Sequence, residues 1–459
     1  MQLHTEGTVA ISSLRASRAA QAQVAIRPQP HTPPDAPGDL VAAGLWMLAV
    51  VPPAVGFWLV AGNLAGVGPN RVHTLLVGSL LTLGAATMLS VVCGFRMTLY
   101  EGPAAAYLAA IAVLGSHGHG GPAGISGGLL VAGALVFLLA LLRADRLMVR
   151  VLTPLVSTLF VLTVTVAVMP ATLERAVGAT HGLPGNASAW ISSLTVVIVT
   201  LTLRRVRRLG PYSLLAALLA GTVVYFGLAG LPDTAIGGGL AAPGILPWGA
   251  PSVGAGVAIP FALAGALAAF NTVATGGVVA AAERPTLTGR ALAPSAARRA
   301  LLSNAATQAV GALVGNLVGT VSRLDSLGIV RLIGNPRRRP LVLAGAAITA
   351  LAFVTPVVDL AVAIPLSVSA ALLAVILAVI IAGALQTIVR QPKRTIAFVA
   401  VPALAPTAAW VVVGSSLSPD WQLVANPLLW GVLLSVSLER IVGRRASPAP
   451  VLLASQDGA

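Results

Sequence analysis

From about residue 40 onward the chain is a succession of apolar runs of about 20 residues, separated by short clusters of Gly, Pro and Arg. A run such as "LVAAGLWMLAVVPPAVGFWLV", residues 40–60, contains no charge, and as a helix it satisfies its own backbone hydrogen bonds without water. With 57% hydrophobic and 9% charged residues, the composition fits a membrane interior and excludes a soluble multidomain chain. Fourteen candidate spans begin near residues 40, 72, 97, 123, 147, 188, 211, 255, 298, 319, 340, 361, 395 and 424, the third and tenth being short and interrupted. The fold class read from this pattern is an all-α polytopic membrane protein with 14 transmembrane segments.

The basic residues test that count, because cytoplasmic loops of membrane proteins are enriched in Lys and Arg. With the N-terminus placed in the cytoplasm, every Lys and Arg falls on the cytoplasmic side except Arg71, Arg175 and Arg323. Both termini are therefore expected to be cytoplasmic, in a multi-pass protein of the cell membrane. The net charge of +15 has the same origin. It is spread over short loops rather than gathered on one face, so nucleic acid is not an expected partner.

Seven spans on each side of a long uncharged stretch imply a duplication, and an odd number per half places the halves in opposite orientations. The expected organisation is a disordered Pro-rich tail (1–38), a first seven-span repeat (39–235), an extracytoplasmic linker (236–254), a second repeat (255–442) and a tail (443–459). The third segment reads "RMTLYEGPAAAYLAAIAVL" and the tenth "VGTVSRLDSLGIVRLIG". Each is expected to begin with a short extended stretch and continue as a half-helix, so that residues 97–103 and 319–325 are non-helical. Aligning "TLYEGPAA" with "SRLDSLGI" sets Glu101 opposite Asp325. Interrupted spans in matching positions point to a transporter's binding site, and ionisable residues inside spans are functional or paired.

These features together resemble the nucleobase/ascorbate transporter family, of xanthine/uracil permease type, and the resemblance runs from about residue 40 to 442. The family's tenth-segment signature runs Gln/Glu/Pro, Asn, any, Gly, four of any kind, Thr, then Arg/Lys/Gly. The same spacing here reads Asp325, Ser326, Leu327, Gly328, then Ile333 and Gly334, which keeps both glycine positions and replaces Asn and Thr. The eighth span of the family usually carries a base-binding glutamate, whereas "ALAAFNTVATGG" offers Asn271 with Thr275 one turn later. The first span places Trp46 and Met47 where many members carry Gln-His.

The resemblance implies a 7+7 inverted repeat, a core of spans one to four and eight to eleven moving against a gate of the others, and a small-molecule substrate. The expected function is proton-coupled secondary transport of a nucleobase or related heterocycle. The substrate-binding residues expected are Asp325, Asn271, Glu101, Gly102, Tyr107, Thr275, Ser326 and Gly328. Asp325 and Glu101 are the expected proton-coupling groups, and Arg323 is expected to tune the Asp325 charge. Beyond the coupling ion, H+, no cofactor is expected; membrane lipid surrounds the protein, and a homodimer is one possible assembly.

Two other readings remain. "VSRLDS" resembles the Ser-Arg element of sulfate-permease-like anion carriers, and the missing eighth-span acid also suits a transport-inactive membrane scaffold. His117 and His119, in "SHGHGG", lack a third ligand, so no metal site is expected. No nucleophile–base set is visible, so no enzyme is expected. Cys93, the single cysteine, is expected to be a small buried apolar residue.

Overall fold

The computed structural model describes residues 37–443 apart from 69–70, 117–120, 180–184, 207–208, 232–237, 284–291, 334, 390, 392 and 414–426. The expected tails 1–38 and 443–459 lie almost entirely outside the described residues, as do His117 and His119.

Along the chain run helices α1 (Asp39–Leu64) and α2 (Val72–Val92), strand β1 (Glu101–Pro103), and helices α3 (Ala105–Ser116), α4 (Pro122–Leu141), α5 (Ala144–Val151), α6 (Pro154–Ala176), α7 (Ala187–Arg205) and α8 (Ser213–Ala229). After the linker come α9 (Ala255–Glu283), α10 (Pro294–Val314), strand β2 (Thr320–Ser322), α11 (Asp325–Ile333), α12 (Arg338–Leu351), α13 (Thr355–Ala363), α14 (Leu366–Val389), α15 (Val401–Val413) and α16 (Pro427–Gly443). Among the described residues, 6 helices are long and apolar enough to cross a membrane. They are α1, α2, α4, α7, α9 and α14.

Local chemistry sets several of the boundaries. Proline occupies the first turn of α4, α6 and α10, where its missing N–H has no helical partner to lose. Thr153 and Asn186 cap α6 and α7 by accepting from the backbone N–H groups of Val156 and Ala189 at 3.2 and 2.7 Å. Two expected spans start later than the apolar pattern alone suggests. The fifth, expected from 147, is divided at Pro154 into the amphipathic α5 and the long α6, and the twelfth, expected from 361, is divided at Pro365 into α13 and α14. In both cases the ring removes a backbone donor, and the short helix before it ends.

The packing repeats in the second half of the chain. α2 packs on α12 and α10 on α4; α1 packs on α12 and α9 on α4; α7 packs on α8 and α15 on α16. Close crossings rely on glycine: a Cβ on Gly84 of α2 would stand 2.5 Å from the Gly345 carbonyl oxygen of α12, and one on Gly133 of α4 would stand 3.2 Å from the Ala305 carbonyl oxygen of α10. A large apolar core joins most helices. A second, smaller core is separate from it and joins Leu155, Leu159 and Leu162 of α6, Ala384 and Ile388 of α14, and Val399, Ala400 and Ala403 around the start of α15.

The linker is tied down rather than loose over its described part, 238–254. Ala241 donates its N–H to Phe353 O, Leu246 to Leu313 O and Ser252 to Ala123 O, while the Trp248 indole donates to Gly315 O at 3.0 Å. It therefore joins the ends of α4, α10 and α12. Cys93, expected to be buried, is exposed because it falls at the C-cap of α2, beyond the packed face of that helix.

Candidate functional site

Strands β1 and β2 form a two-stranded antiparallel ladder, with Glu101 opposite Ser322, Gly102 opposite Val321 and Pro103 opposite Thr320. Two further backbone bonds extend it, Ala104 N–H to Gly319 O at 3.1 Å and Arg323 N–H to Tyr100 O at 3.0 Å. The non-helical stretches expected near 97–103 and 319–325 are present, the second ending at Leu324 because Asp325 is already helical, and each leads into a half-helix. Because the strands are antiparallel, α3 and α11 leave from opposite ends of the ladder. Their N-termini, where backbone N–H groups are free and the dipole is positive, point in opposite directions.

The expected equivalence of Glu101 and Asp325 does not hold. Asp325 is the first residue of α11, and the first residue of α3 is Ala105; Glu101 opens strand β1 and has Ser322 across from it. Counted from the starts of the two half-helices, the position equivalent to Asp325 is Ala105, four residues after Glu101. The break in the first half falls before Gly-Pro as an extended strand, while that in the second half falls before Asp325 as a helix start.

Side chains alternate across a strand, so Glu101 and Ser322 share one face of the ladder, while their neighbours Tyr100 and Arg323, which hold Asp325, lie on the other. On one face, Gly102 lies under the Arg323 stem and the Tyr100 ring; a Cβ there would stand 2.9 Å from Arg323 Cγ and 2.9 Å from Tyr100 Cε2. Arg323 grips Asp325 with two prongs, Nη2 to Oδ2 at 3.1 Å and Nε to Oδ1 at 3.4 Å, and donates Nη1–H to Pro103 O at 3.0 Å. Tyr100 Oη donates to Asp325 Oδ2 at 2.7 Å, and Ser326 Oγ accepts from the Tyr100 N–H at 3.2 Å. The Trp46 ring of α1 meets Tyr100 edge-on at 6.1 Å between centroids. Asp325 is 3% exposed and Arg323 17%, so Arg323 is the more accessible side chain of the pair.

On the other face, Ser322 Oγ donates to Glu101 Oε1 at 2.6 Å, and Glu101 Oε2 is buried without a hydrogen-bond partner. The Glu101 N–H donates to Thr87 Oγ1 at 3.2 Å. Alongside runs a buried chain of amides on α10: Asn304 Nδ2 donates to Thr320 O at 2.6 Å, Gln308 Nε2 donates to Asn304 Oδ1, and Tyr107 Oη donates to Gln308 Oε1. Tyr107 is fully buried, with its ring against Gly319 and 6.0 Å from Phe261 between centroids. It anchors the α3 end of the ladder.

The remaining expected residues make no side-chain hydrogen bond to these clusters among the described residues. Thr275 Oγ1 donates to Asn271 Oδ1 at 3.3 Å within α9, a helix that packs on β2 and α3; Thr275 is fully buried and Asn271 half-buried. Gly328 lies inside α11, where a Cβ would be in ordinary contact with Val379 of α14. Tyr100, Ser322, Asn304 and Gln308 were not among the expected residues. The period of two in "TLYEGP" and "TVSRLD" is the signal that could have placed Tyr100 beside Arg323 and Ser322 beside Glu101.

A small crevice, with a volume of about 10 Å³, opens where α1 meets α6 and α14, lined by Gly56 and Phe57 of α1, Thr172 and Arg175 of α6, and Leu366 and Ser369 of α14 among others.

Solved structures share this fold, among them two anion-transport proteins. The transmembrane domain of a cyanobacterium bicarbonate transporter, BicA, aligns with a TM-score of 0.56 at 16% identity, covering 87% of this chain and 97% of that one. The murine Slc26a9 anion transporter in its inward-facing state aligns with a TM-score of 0.54 at 13% identity, covering 87% of this chain and 68% of that one. No protein of curated function matches the chain by sequence. The Xan_ur_permease model, described as the Permease family, matches residues 38–414. That match spans most of the chain and both half-helices, and the chain therefore belongs to the Permease family, as an integral membrane transporter.

Proposed function

We propose that the protein is a secondary active transporter of a nucleobase, uracil- or xanthine-like, or of a related heterocycle, coupled to protons. The observation that carries this reading is the crossing of two half-helices, with an arginine–carboxylate–tyrosine cluster on one face of the ladder between them. Arg323 spends only part of its planar fork on Asp325 and Pro103. Its remaining N–H groups suit ring carbonyl oxygens, and the positive N-terminus of α11 adds to that preference. Asn271 supplies both a donor and an acceptor. A substrate meets Arg323 first, and reaches Asp325 only by displacing part of its ion pair.

The 14 segments are read as two inverted repeats of seven: α1, α2, β1 with α3, α4, α6, α7 and α8, then α9, α10, β2 with α11, α12, α14, α15 and α16. The matched helix pairs support this division, and the separate apolar core of α6, α14 and α15 supports a gate that moves as a body against the core. Both termini are assigned to the cytoplasm by the distribution of basic loops.

A second reading is favoured by Arg323 itself, which offers a small anion the same donors. Thermal-shift binding of uracil, xanthine, bicarbonate and sulfate to the purified protein separates the two, since a ligand stabilises the state it binds. Stabilisation by a nucleobase, with accumulation of that base in proteoliposomes under an inward proton gradient, is the expected result. Stabilisation by bicarbonate or sulfate alone would replace the heterocycle with an anion.

A further inference from the structure

We infer that the short helix α5, with the exposed end of α4 beside it, is a binding site for an anionic phospholipid of the cytoplasmic leaflet.

The sequence of α5, "ADRLMVRV", divides by helical spacing into two stripes. Asp145 and Met148 are buried, and Leu152 just after the helix continues that stripe. Arg146, Leu147 and Arg150 are exposed on the opposite side, with Arg143 at the N-cap in line with them. Leu142 is 69% exposed and Leu147 61%, so the outer stripe is aliphatic as well as basic. Leu141, also exposed, closes the 20-residue apolar span of α4. Three charged residues in an 8-residue helix exclude α5 from the hydrocarbon, so it starts where the bilayer core ends.

No ion pair or side-chain hydrogen bond engages Arg143, Arg146 or Arg150 among the described residues. The acid within α5, Asp145, belongs to the buried stripe and is 3% exposed. Arg143 adopts φ 55° and ψ 33°, the left-handed conformation that ends helices and favours glycine. Glycine there would relax the turn between α4 and α5 and forfeit a guanidinium in line with the other two.

This combination fits one partner. Guanidiniums take phosphate oxygens in pairs, and leucines at the end of a span meet acyl chains. A basic amphipathic helix lies among headgroups and is drawn to anionic ones. A second copy of the same face would set arginine against arginine, and an acidic peptide would leave the leucines uncovered. The lipid also sits on a joint of the fold. α5 packs on α4, α9 and α10 and runs through Leu152 into the α6 cap Thr153, which holds Glu439 of α16 at 2.6 and 2.7 Å.

The test is thermal unfolding of the purified full-length protein in uncharged detergent, titrated with phosphatidylglycerol or with phosphatidylcholine of the same acyl chains. Phosphatidylglycerol is expected to stabilise at much the lower concentration. Each guanidinium near an anionic surface strengthens binding roughly fivefold, so Arg146→Gln/Arg150→Gln is expected to raise the half-saturating phosphatidylglycerol concentration about tenfold or more. Arg204→Gln/Arg205→Gln, which removes two exposed cytoplasmic charges from the end of α7 instead, is expected to leave it within about twofold. Should the α5 double variant fail to fold, Arg143→Gly gives the reading: weaker phosphatidylglycerol binding with lipid-free stability at or above the wild type. Four results would overturn the inference. They are equal stabilisation by the two lipids, unchanged phosphatidylglycerol binding in the α5 variants, an equal loss in the α7 variant, and inorganic phosphate stabilising as well as the lipid does.

Discussion

Tyr100 gives its phenolic hydrogen to Oδ2 of Asp325 across 2.7 Å, joining two residues 225 positions apart in the chain. The same oxygen takes Nη2–H of Arg323 at 3.1 Å, so one buried carboxylate is held by a cation and a phenol at once. An Arg and an Asp persist in this otherwise apolar stretch because each compensates the other where neither could stay alone.

Removing only the hydroxyl, Tyr100→Phe, keeps the ring against Trp46 and deletes a hydrogen bond to a charged acceptor. Loss of about 1.5–3 kcal/mol is expected. Thermal unfolding in detergent measures it, and an unchanged unfolding temperature would show the bond to be energetically idle.

Arg323→Ala strands the Asp325 charge and is expected to cost about 3–5 kcal/mol. The double variant Arg323→Ala/Asp325→Asn should recover a large part of that loss, because the uncompensated charge is gone. A double-mutant cycle built on these variants reads the coupling. Additive losses would mean that the pair does not act as a unit.

Gly319→Ala drives a methyl into the Tyr107 ring at Cε2, an approach that the fixed ring cannot absorb. Overpacking of this kind typically costs about 1–3 kcal/mol. The Tyr107→Phe/Gly319→Ala combination should cost little more than Gly319→Ala alone, since the displaced ring has already lost Gln308.

Across the proposed boundary between core and gate, a Cβ built on Gly56 of α1 lies 4.0 Å from Ser369 Cβ of α14, within the usual disulfide separation. Gly56→Cys with Ser369→Cys, in a Cys93→Ser background, is expected to cross-link on oxidation and stop transport, with recovery on reduction. Transport that continues through the cross-link would remove the moving-bundle mechanism.

Asn271 is half-buried and bonded within the described residues only to Thr275. Asn271→Ala is therefore expected to leave stability within about 0.5 kcal/mol while raising the KM for uptake. A loss of folding instead would make Asn271 a packing residue of α9.

The sequence by itself determined the class of the protein. Apolar runs of membrane length, short basic loops and two interrupted segments are local properties, governed by the bilayer's intolerance of bare backbone and charge, and any reader of the chain meets them directly. It also located both breaks, because Gly-Pro and the polar stretch "TVSRLDS" disrupt helical continuity wherever they occur.

What only the tertiary structure decided is the pairing across the breaks. Register in a three-residue ladder is set by contacts between positions more than 200 residues apart, and no local pattern carries it. That register put Glu101 opposite Ser322 rather than in step with Asp325. It put Glu101 on one face and Tyr100 and Arg323, which hold Asp325, on the other, while leaving one oxygen of Glu101 bare. Side chains on a strand alternate faces, so where each strand begins decides which residues share a site, and that choice is made by the packing of two distant half-helices.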